Sequence, residues 1–132
     1  MARVRTAVLL SGRGSNLKSL IAAAAAADFP AEIALVISNV ENAGGLEVAR
    51  AAGIPAVAIS HRDFESRESF DRAIDAALRE ANIGLVCEAG FMRIHSDWFA
   101  RVWEGKLLNI HPSLLPAFKG IRVHQQALDA GV

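Results

Sequence analysis

Residues 4–16, Val-Arg-Thr-Ala-Val-Leu-Leu-Ser-Gly-Arg-Gly-Ser-Asn, decide the fold of this chain. The first seven, Val4 to Leu10, form a mostly apolar run with the length of a buried strand. A glycine-rich turn follows, and a helix is predicted from Ser15 to Ala27 because six consecutive alanines close this segment. A strand, a glycine turn and a helix in this order predict the first unit of an α/β domain.

The same alternation continues along the chain. Further strands are predicted at 33–37, 55–59, 83–87 and 106–110, and further helices at 44–52, 65–81, 96–103 and 123–130. Strands separated by helices require right-handed crossovers, which produce a parallel sheet with helices on both faces. The fold class is therefore α/β, an open, mainly parallel Rossmann-like sheet. Because no strand follows the last helix, we expect the sheet to be incomplete at its C-terminal edge.

Length and composition limit the function classes. The chain has 132 residues, enough for one domain, and its 14 basic and 14 acidic residues give a net charge of zero. This balance argues against a nucleic-acid binder and against a polybasic membrane anchor. A single cysteine, Cys87, excludes a disulfide framework and fits a reducing compartment. The N-terminal apolar run is too short to span a membrane. We expect a cytoplasmic protein without nucleic-acid or membrane partners.

The turn at residues 11–16 is a candidate phosphate site. In an open α/β sheet it lies at the carboxyl ends of the strands, where ligands bind. Glycines let the backbone approach an anion, and a helix N-terminus offers free N–H groups. Ser15 can cap the helix, and Asn16 can donate from its side chain. Leu17 stands where a dinucleotide fingerprint requires glycine, so NAD is not predicted. A tight turn with a capping serine is the alternative interpretation.

The second candidate is a pair of polar residues at the end of the fifth strand. Side chains alternate along a strand, so Asn109 and His111 point to one face and Ile110 to the other. An imidazole can act as a general acid or base, and an amide can donate to an oxyanion. This combination suits acyl transfer. Ser113 lacks the setting of a nucleophile, so a substrate amine is the better attacking group. A purely structural histidine is the alternative.

A third candidate is the loop at residues 90–94, Gly-Phe-Met-Arg-Ile, after the fourth strand. It could form an apolar slot for a flat heterocycle, or its apolar side chains could belong to the core. Arg67, near the start of the third helix, could meet a carboxylate or remain solvated. No metal site is predicted, because the four histidines and Cys87 lack the spacing of metal ligands.

Three segments together closely resemble the phosphoribosylglycinamide formyltransferases, folate-dependent enzymes of purine biosynthesis. They are residues 11–17 (SGRGSNL), 89–94 (AGFMRI) and 108–116 (LNIHPSLLP). The resemblance covers the whole chain and implies a formyltransferase fold. It also implies two small-molecule substrates, because in this family the amine of 5-phosphoribosylglycinamide attacks the formyl carbon of 10-formyltetrahydrofolate. A second copy of the chain is a partner that the sequence leaves open.

The resemblance also implies roles for individual residues. Asn109 would hydrogen-bond the oxyanion, and His111 would donate a proton when the tetrahedral intermediate collapses. The ribonucleotide phosphate would be held by Gly14, Ser15 and Asn16. The residues that would contact the folate are Arg67, Met92, Arg93, Ile94, His95 and Asn109.

The chain departs from the family in two ways. Glu88 stands at a position that is usually apolar and lines the folate side, where a carboxylate costs desolvation unless it is partnered. Family members also continue for several dozen residues, including an aspartate that orients the histidine. Residues 1–132 therefore correspond to the N-terminal formyltransferase domain, with the phosphate-binding loop and the catalytic pair and without the C-terminal portion. We expect little or no activity from these residues alone.

Related enzymes offer other interpretations. Formyltetrahydrofolate deformylase uses the same pair for hydrolysis, but it tends to have a second histidine where Pro112 stands and an N-terminal regulatory domain. Methionyl-tRNA formyltransferase shares the Ser-Leu-Leu-Pro turn and should have a basic extension. A non-catalytic ligand-binding or interaction fragment is the interpretation from a different class.

Overall fold

The computed structural model of the chain describes residues 3–110. The five strands of this part are β1 (Val4–Leu10), β2 (Ala31–Ser38), β3 (Ala56–Ala58), β4 (Leu85–Glu88) and β5 (Leu107–Asn109). Its α-helices are α1 (Ser15–Ala24), α2 (Gly44–Ala51), α3 (Arg67–Glu80) and α4 (Asp97–Val102), and one 3-10 turn covers His61–Asp63. The predicted helix at 123–130, together with the rest of the chain from His111 onward, lies outside the described residues.

All neighbouring strands of the sheet pair in parallel, in the order β3-β2-β1-β4-β5. The chain moves outward from β1 to β2 and β3, then returns to the other side of β1 for β4 and β5. The predicted α/β class with a parallel sheet is confirmed. The reversal of direction beside β1 creates a crevice at the carboxyl ends of β1 and β4.

Two apolar cores lie on opposite faces of the sheet, as strand alternation requires. Val8 and Leu10 of β1 pack with α1 and α2, whereas Ala7 and Leu9 pack with α3 and α4. All four of these β1 side chains are fully buried. The central strand is therefore covered on both faces, which explains why its second half reads as a continuous apolar run.

The predicted end of the first helix was wrong. Helix α1 ends at Ala24 rather than Ala27, so half of the alanine run is not helical. The guanidinium group of Arg3 donates to the carbonyl oxygens of Ala24 and Ala26 at 2.9 and 2.8 Å. The chain then turns so that Phe29 enters the core, with 4 % exposure. Burial of this aromatic ring outweighs the helix propensity of the last alanines.

Other boundaries differ from the predictions by only one or two residues. Gly53 follows α2 with φ +76°, and its N–H donates to the Arg50 carbonyl at 3.0 Å, as is typical of a glycine just after a helix end. Helix α3 begins with a reciprocal capping box between Ser66 and Ser69. Within residues 3–110, no helix has the length and apolarity of a membrane span.

Candidate active site

The glycine turn after β1 is held against α2. Gly14 has φ +87°, and a Cβ atom there would lie 2.6 Å from the Cα of Gly45. The N–H of Gly45 donates to the carbonyl of Gly12 at 3.1 Å. Glycine is thus required at position 14 by its backbone conformation and by the close approach of a second backbone.

The start of α1 presents unoccupied donors, as the phosphate hypothesis requires. The N-cap is Gly14, no side chain among residues 3–110 caps the helix, and no acidic residue lies in its first turn. The prediction that Ser15 caps the helix was wrong, because Ser15 is already the first helical residue. Without a side-chain cap, the first-turn N–H groups remain available to an anion. The amide nitrogen of Asn16 lies toward the loop after β4, 4.0 Å from where a Gly90 side chain would begin.

Ser11 joins the two loops that border the crevice. Its N–H donates to the Gly90 carbonyl at 3.2 Å, and its Oγ accepts from the Met92 N–H at 2.8 Å. The same hydroxyl donates to Oδ1 of buried Asn39 at the end of β2, whose Nδ2 lies 3.2 Å from Nδ1 of His61. This role of Ser11, Asn39 and His61 was not predicted from the sequence, although all three residues follow predicted strands.

The loop after β4 presents its apolar side chains to solvent. Met92 is 79 % exposed and Ile94 is 75 % exposed, while Phe91 packs on the α3 and α4 side of the sheet. The exposure of Met92 and Ile94 is consistent with the predicted apolar surface, whereas Phe91 follows the alternative that these residues belong to the core. Between Met92 and Ile94, Nε of Arg93 is buried and has no hydrogen-bond partner among residues 3–110. A buried donor of this kind is expected to find a partner, and a ligand could supply it.

His95 turns away from that exposed surface. Its side chain is 7 % exposed, with Nδ1 3.0 Å from Oδ1 of Asp71 and Nε2 2.5 Å from Oε2 of Glu88. Its ring stacks on Phe99 at a centroid distance of 4.2 Å and on Phe91 at 5.3 Å. If His95 contacts folate as predicted, the contact must come from its backbone rather than from the imidazole.

Glu88 therefore has the partner that its position demands. Burying a carboxylate at this position would be costly without a partner, and the hydrogen bond to His95 offsets that cost. The Glu88 charge also affects the adjacent residue: burial, followed by that charge, raises the pKa of the Cys87 thiol to about 12. Cys87 is thus an inert core residue, not a nucleophile.

The two carboxylates keep His95 protonated. Burial by itself lowers the pKa of His95, but hydrogen bonds to Asp71 and Glu88 and the charges of both raise it from 6.5 to about 9. We expect this interaction to stabilise the fold fully below pH 6.5 and to be lost as the pH rises through about 9. The free energy of unfolding should fall by roughly 2 to 3 kcal/mol over this range.

Denaturant unfolding between pH 6 and pH 10 measures this loss. His95→Gln should remove most of the pH dependence, and His61→Gln is the matched control that should retain it. An unchanged pH dependence in His95→Gln would show that another group titrates.

Asn109 lies at the end of β5, beside Glu88 on the neighbouring strand β4. The two residues are register partners on adjacent parallel strands, and Glu88 in turn pairs with Leu9 of β1. The N–H of Ile110 donates to the Glu88 carbonyl at 2.9 Å, while the Asn109 residue itself is exposed. Ile110 is buried, so the predicted alternation between 109 and 110 is confirmed. His111, the other half of the predicted pair, lies outside the described residues.

Arg67 is the first residue of α3 and is exposed. It precedes Asp71 by one helical turn, so it lies on the same helix face as the carboxylate that binds His95. Within residues 3–110 it forms no salt bridge. Arg67 therefore lies on the side of the sheet that α3 covers, which Asn109 also faces. There it could bind a ligand carboxylate.

A separate cavity of about 340 Å³ lies at the carboxyl ends of β2 and β3 and is lined by residues 39–42 and 60–63. Asn39 and His61 form part of its wall. Because β1 and β4 separate it from β5, it is distinct from the surface near Asn109. Among the described residues, no cluster of histidine, cysteine and carboxylate side chains could hold a metal ion.

Comparisons with known proteins agree with this geometry. The chain matches the formyl transferase family over residues 4–132. It is 44 % identical over 124 residues to phosphoribosylglycinamide formyltransferase of Escherichia coli, covering 94 % of this chain and 58 % of that relative. It is 52 % identical over 130 residues to the trifunctional purine biosynthetic protein adenosine-3 of Bos taurus, covering 98 % of this chain and 13 % of that protein.

Solved structures give the same result. The crystal structure of phosphoribosylglycinamide formyltransferase from Brucella melitensis superimposes with a TM-score of 0.79 at 49 % identity, covering 98 % of this chain and 68 % of that chain. The chain thus spans between about one eighth and two thirds of the length of these relatives.

Proposed function

Because this chain belongs to the formyl transferase family, we propose that it serves the transfer of a formyl group from 10-formyltetrahydrofolate to the amine of 5-phosphoribosylglycinamide. Its homologues are formyltransferases of purine biosynthesis. One observation carries the proposal. The uncapped start of α1, the exposed loop after β4 and the polar end of β5 all lie at the carboxyl ends of the strands. An anion site, an apolar surface and an oxyanion donor are the three elements that this reaction needs.

The phosphate of the ribonucleotide is assigned to the start of α1. Gly14, Ser15 and Asn16 would bind it through first-turn N–H groups and the Asn16 amide, assisted by the helix dipole. The Asn16 amide already lies near Gly90, so a phosphate held there would leave the rest of the substrate in the crevice between β1 and β4. The zero net charge of the chain also fits a small anion better than a nucleic acid.

The folate is assigned to the loop after β4. Met92 and Ile94 supply exposed apolar surface, and Arg93 supplies a buried donor without a partner in the described part of the chain. Arg67, exposed at the start of α3, would bind the glutamate carboxylates. These groups differ in kind, as expected for a ligand with a heterocycle at one end and carboxylates at the other.

The chemistry would take place at the end of β5. The Asn109 amide would donate to the oxyanion that forms when the substrate amine attacks the formyl carbon, which stabilises the tetrahedral intermediate. His111 would donate a proton to the departing folate nitrogen as its bond to the formyl carbon breaks, while the amine loses one proton. We also propose that the protein acts in the cytoplasm, where Cys87 remains a reduced, buried thiol.

Titration calorimetry with 5-phosphoribosylglycinamide tests the substrate assignment. We expect the chain to bind this ribonucleotide and inorganic phosphate to compete with it. Asn16→Leu should weaken the affinity by about tenfold, the value of one hydrogen bond to a charged group. Asn42→Leu, an exposed asparagine beside the other cavity, is the matched control. Undetectable binding, or equal effects of the two substitutions, would contradict the assignment. Formate release in the absence of the ribonucleotide would instead indicate a hydrolase.

A further inference from the structure

Three charged side chains close the base of the loop that carries Met92 and Ile94. Glu88 is the last residue of β4, and His95 lies two residues before α4, so their hydrogen bond joins the two ends of the loop. The other ring nitrogen of His95 binds Asp71 of α3, which is 1 % exposed. Asp71 also accepts from the Ser96 N–H at 2.6 Å. The loop is thus anchored to α3 through a carboxylate–imidazole–carboxylate cluster.

This cluster holds the Glu88 carboxylate in a defined place. Oε2 is bound to His95, and Oε1 has no hydrogen-bond partner among residues 3–110. The Glu88 side chain retains 17 % exposure, in contrast to the nearly inaccessible Asp71. A carboxylate that is held by one oxygen and partly exposed can accept a hydrogen bond from a ligand through the other.

The position of Glu88 relative to Asn109 is set by the sheet. Register partners in a parallel pair lie about 4.8 Å apart and point to the same face. Their common face is that of Leu9, which packs with α3 and α4. A ligand that brings its reacting group to Asn109 beside this loop would therefore lie within reach of Glu88.

We propose that Glu88 is a specificity-determining residue, whose carboxylate accepts a hydrogen bond from the exocyclic amino group on the heterocycle of the formyl donor. This inference rests on the proposed function, which supplies a donor with an amino-substituted ring. An ionised carboxylate accepts hydrogen bonds and donates none. The edge of the ring that faces Glu88 must therefore carry N–H groups. A ring with a methyl group in place of the amino group should bind more weakly.

Two folate analogues test this inference by titration calorimetry. One is a 10-formyl-5,8-dideazafolate with its 2-amino group, and the other is the same compound with a 2-methyl group. Glu88→Leu should weaken binding of the amino compound by about tenfold or more and leave binding of the methyl compound within about twofold. Equal changes for both compounds would overturn the inference, because a purely structural role of Glu88 affects both alike.

Glu88→Gln provides the test if Glu88→Leu does not fold. The glutamine oxygen can keep the bond to His95, while its NH₂ group replaces the second carboxylate oxygen and opposes an N–H donor. The amino compound should again be selectively weakened. Glu104→Gln is the matched control and should change neither affinity, because Glu104 precedes β5 and so lies at the opposite end of the strands from Glu88. If the unsubstituted chain binds neither analogue, the proposed function fails, which distinguishes that result from failure of this inference.

Discussion

Replacing Gly14 with alanine is expected to destabilise the chain by about 2 to 5 kcal/mol. The left-handed backbone at φ +87° costs roughly 1 to 2 kcal/mol for a residue with a side chain. The added Cβ would also lie 2.6 Å from the Cα of Gly45, and relief of that clash requires α2 to move, at about 1 to 3 kcal/mol. Urea unfolding of the two chains measures the difference.

Gly53 offers a control that separates these two effects. It has a similar φ of +76°, but a Cβ atom there would meet nothing within 4 Å. Gly53→Ala should therefore cost only the backbone strain, about 1 to 2 kcal/mol. If Gly14→Ala and Gly53→Ala were equally destabilising, the close approach of the turn to α2 would contribute nothing.

Replacing Asn109 with aspartate is expected to lower the rate of formyl transfer by about 10²- to 10³-fold, the usual effect of removing an oxyanion donor. Aspartate has nearly the same size, but its charge opposes the developing negative charge on the formyl oxygen. Because Asn109 is exposed, the change should leave the fold intact. Because residues 1–132 alone are expected to have little activity, the rate is measured under single-turnover conditions, with the chain in excess over the formyl folate and saturating ribonucleotide, so that even slow transfer is observed.

Asn42→Asp introduces the same charge at an exposed site beside β2 and should leave the transfer rate unchanged. Affinity for 5-phosphoribosylglycinamide should be little affected by Asn109→Asp, because we propose that its phosphate binds at the start of α1. A variant at position 109 that retained more than about one fifth of the rate would exclude an oxyanion role, because a lost donor has a far larger effect.

Most of the fold was predictable because its signals are local. The Val4–Leu10 strand, the glycine turn and the following helix appear in the order that an α/β unit requires, and the parallel sheet follows from the spacing of its strands. The prediction failed where a distant group intervened. Arg3 and the burial of Phe29 end α1 at Ala24, and neither effect can be recognised within an alanine run.

The candidate site was predictable only in part. Gly14, Asn16 and Asn109 lie at the carboxyl ends of the strands, where the sequence placed them, because strand ends in a parallel sheet meet at one edge. Ser11 was missed as the residue that joins two loops, since its partners Gly90 and Met92 lie about 80 positions away along the chain. Ser15 was expected to cap α1, but the left-handed Gly14 takes that position.

The sequence by itself determined the order of the elements, the parallel sheet and the residue types at its carboxyl edge, because strand and helix periodicities and turn residues act over a few positions. Only the tertiary structure decided which of these side chains are exposed and which are buried. Met92 and Ile94 point outward while His95 turns inward, because Asp71 on α3 and Glu88 on β4 together bind its imidazole. These orientations depend on charged groups that packing brings together. Glu88, whose carboxylate was expected from the sequence alone to be costly to bury, is held by His95 as a hydrogen-bond acceptor beside Asn109.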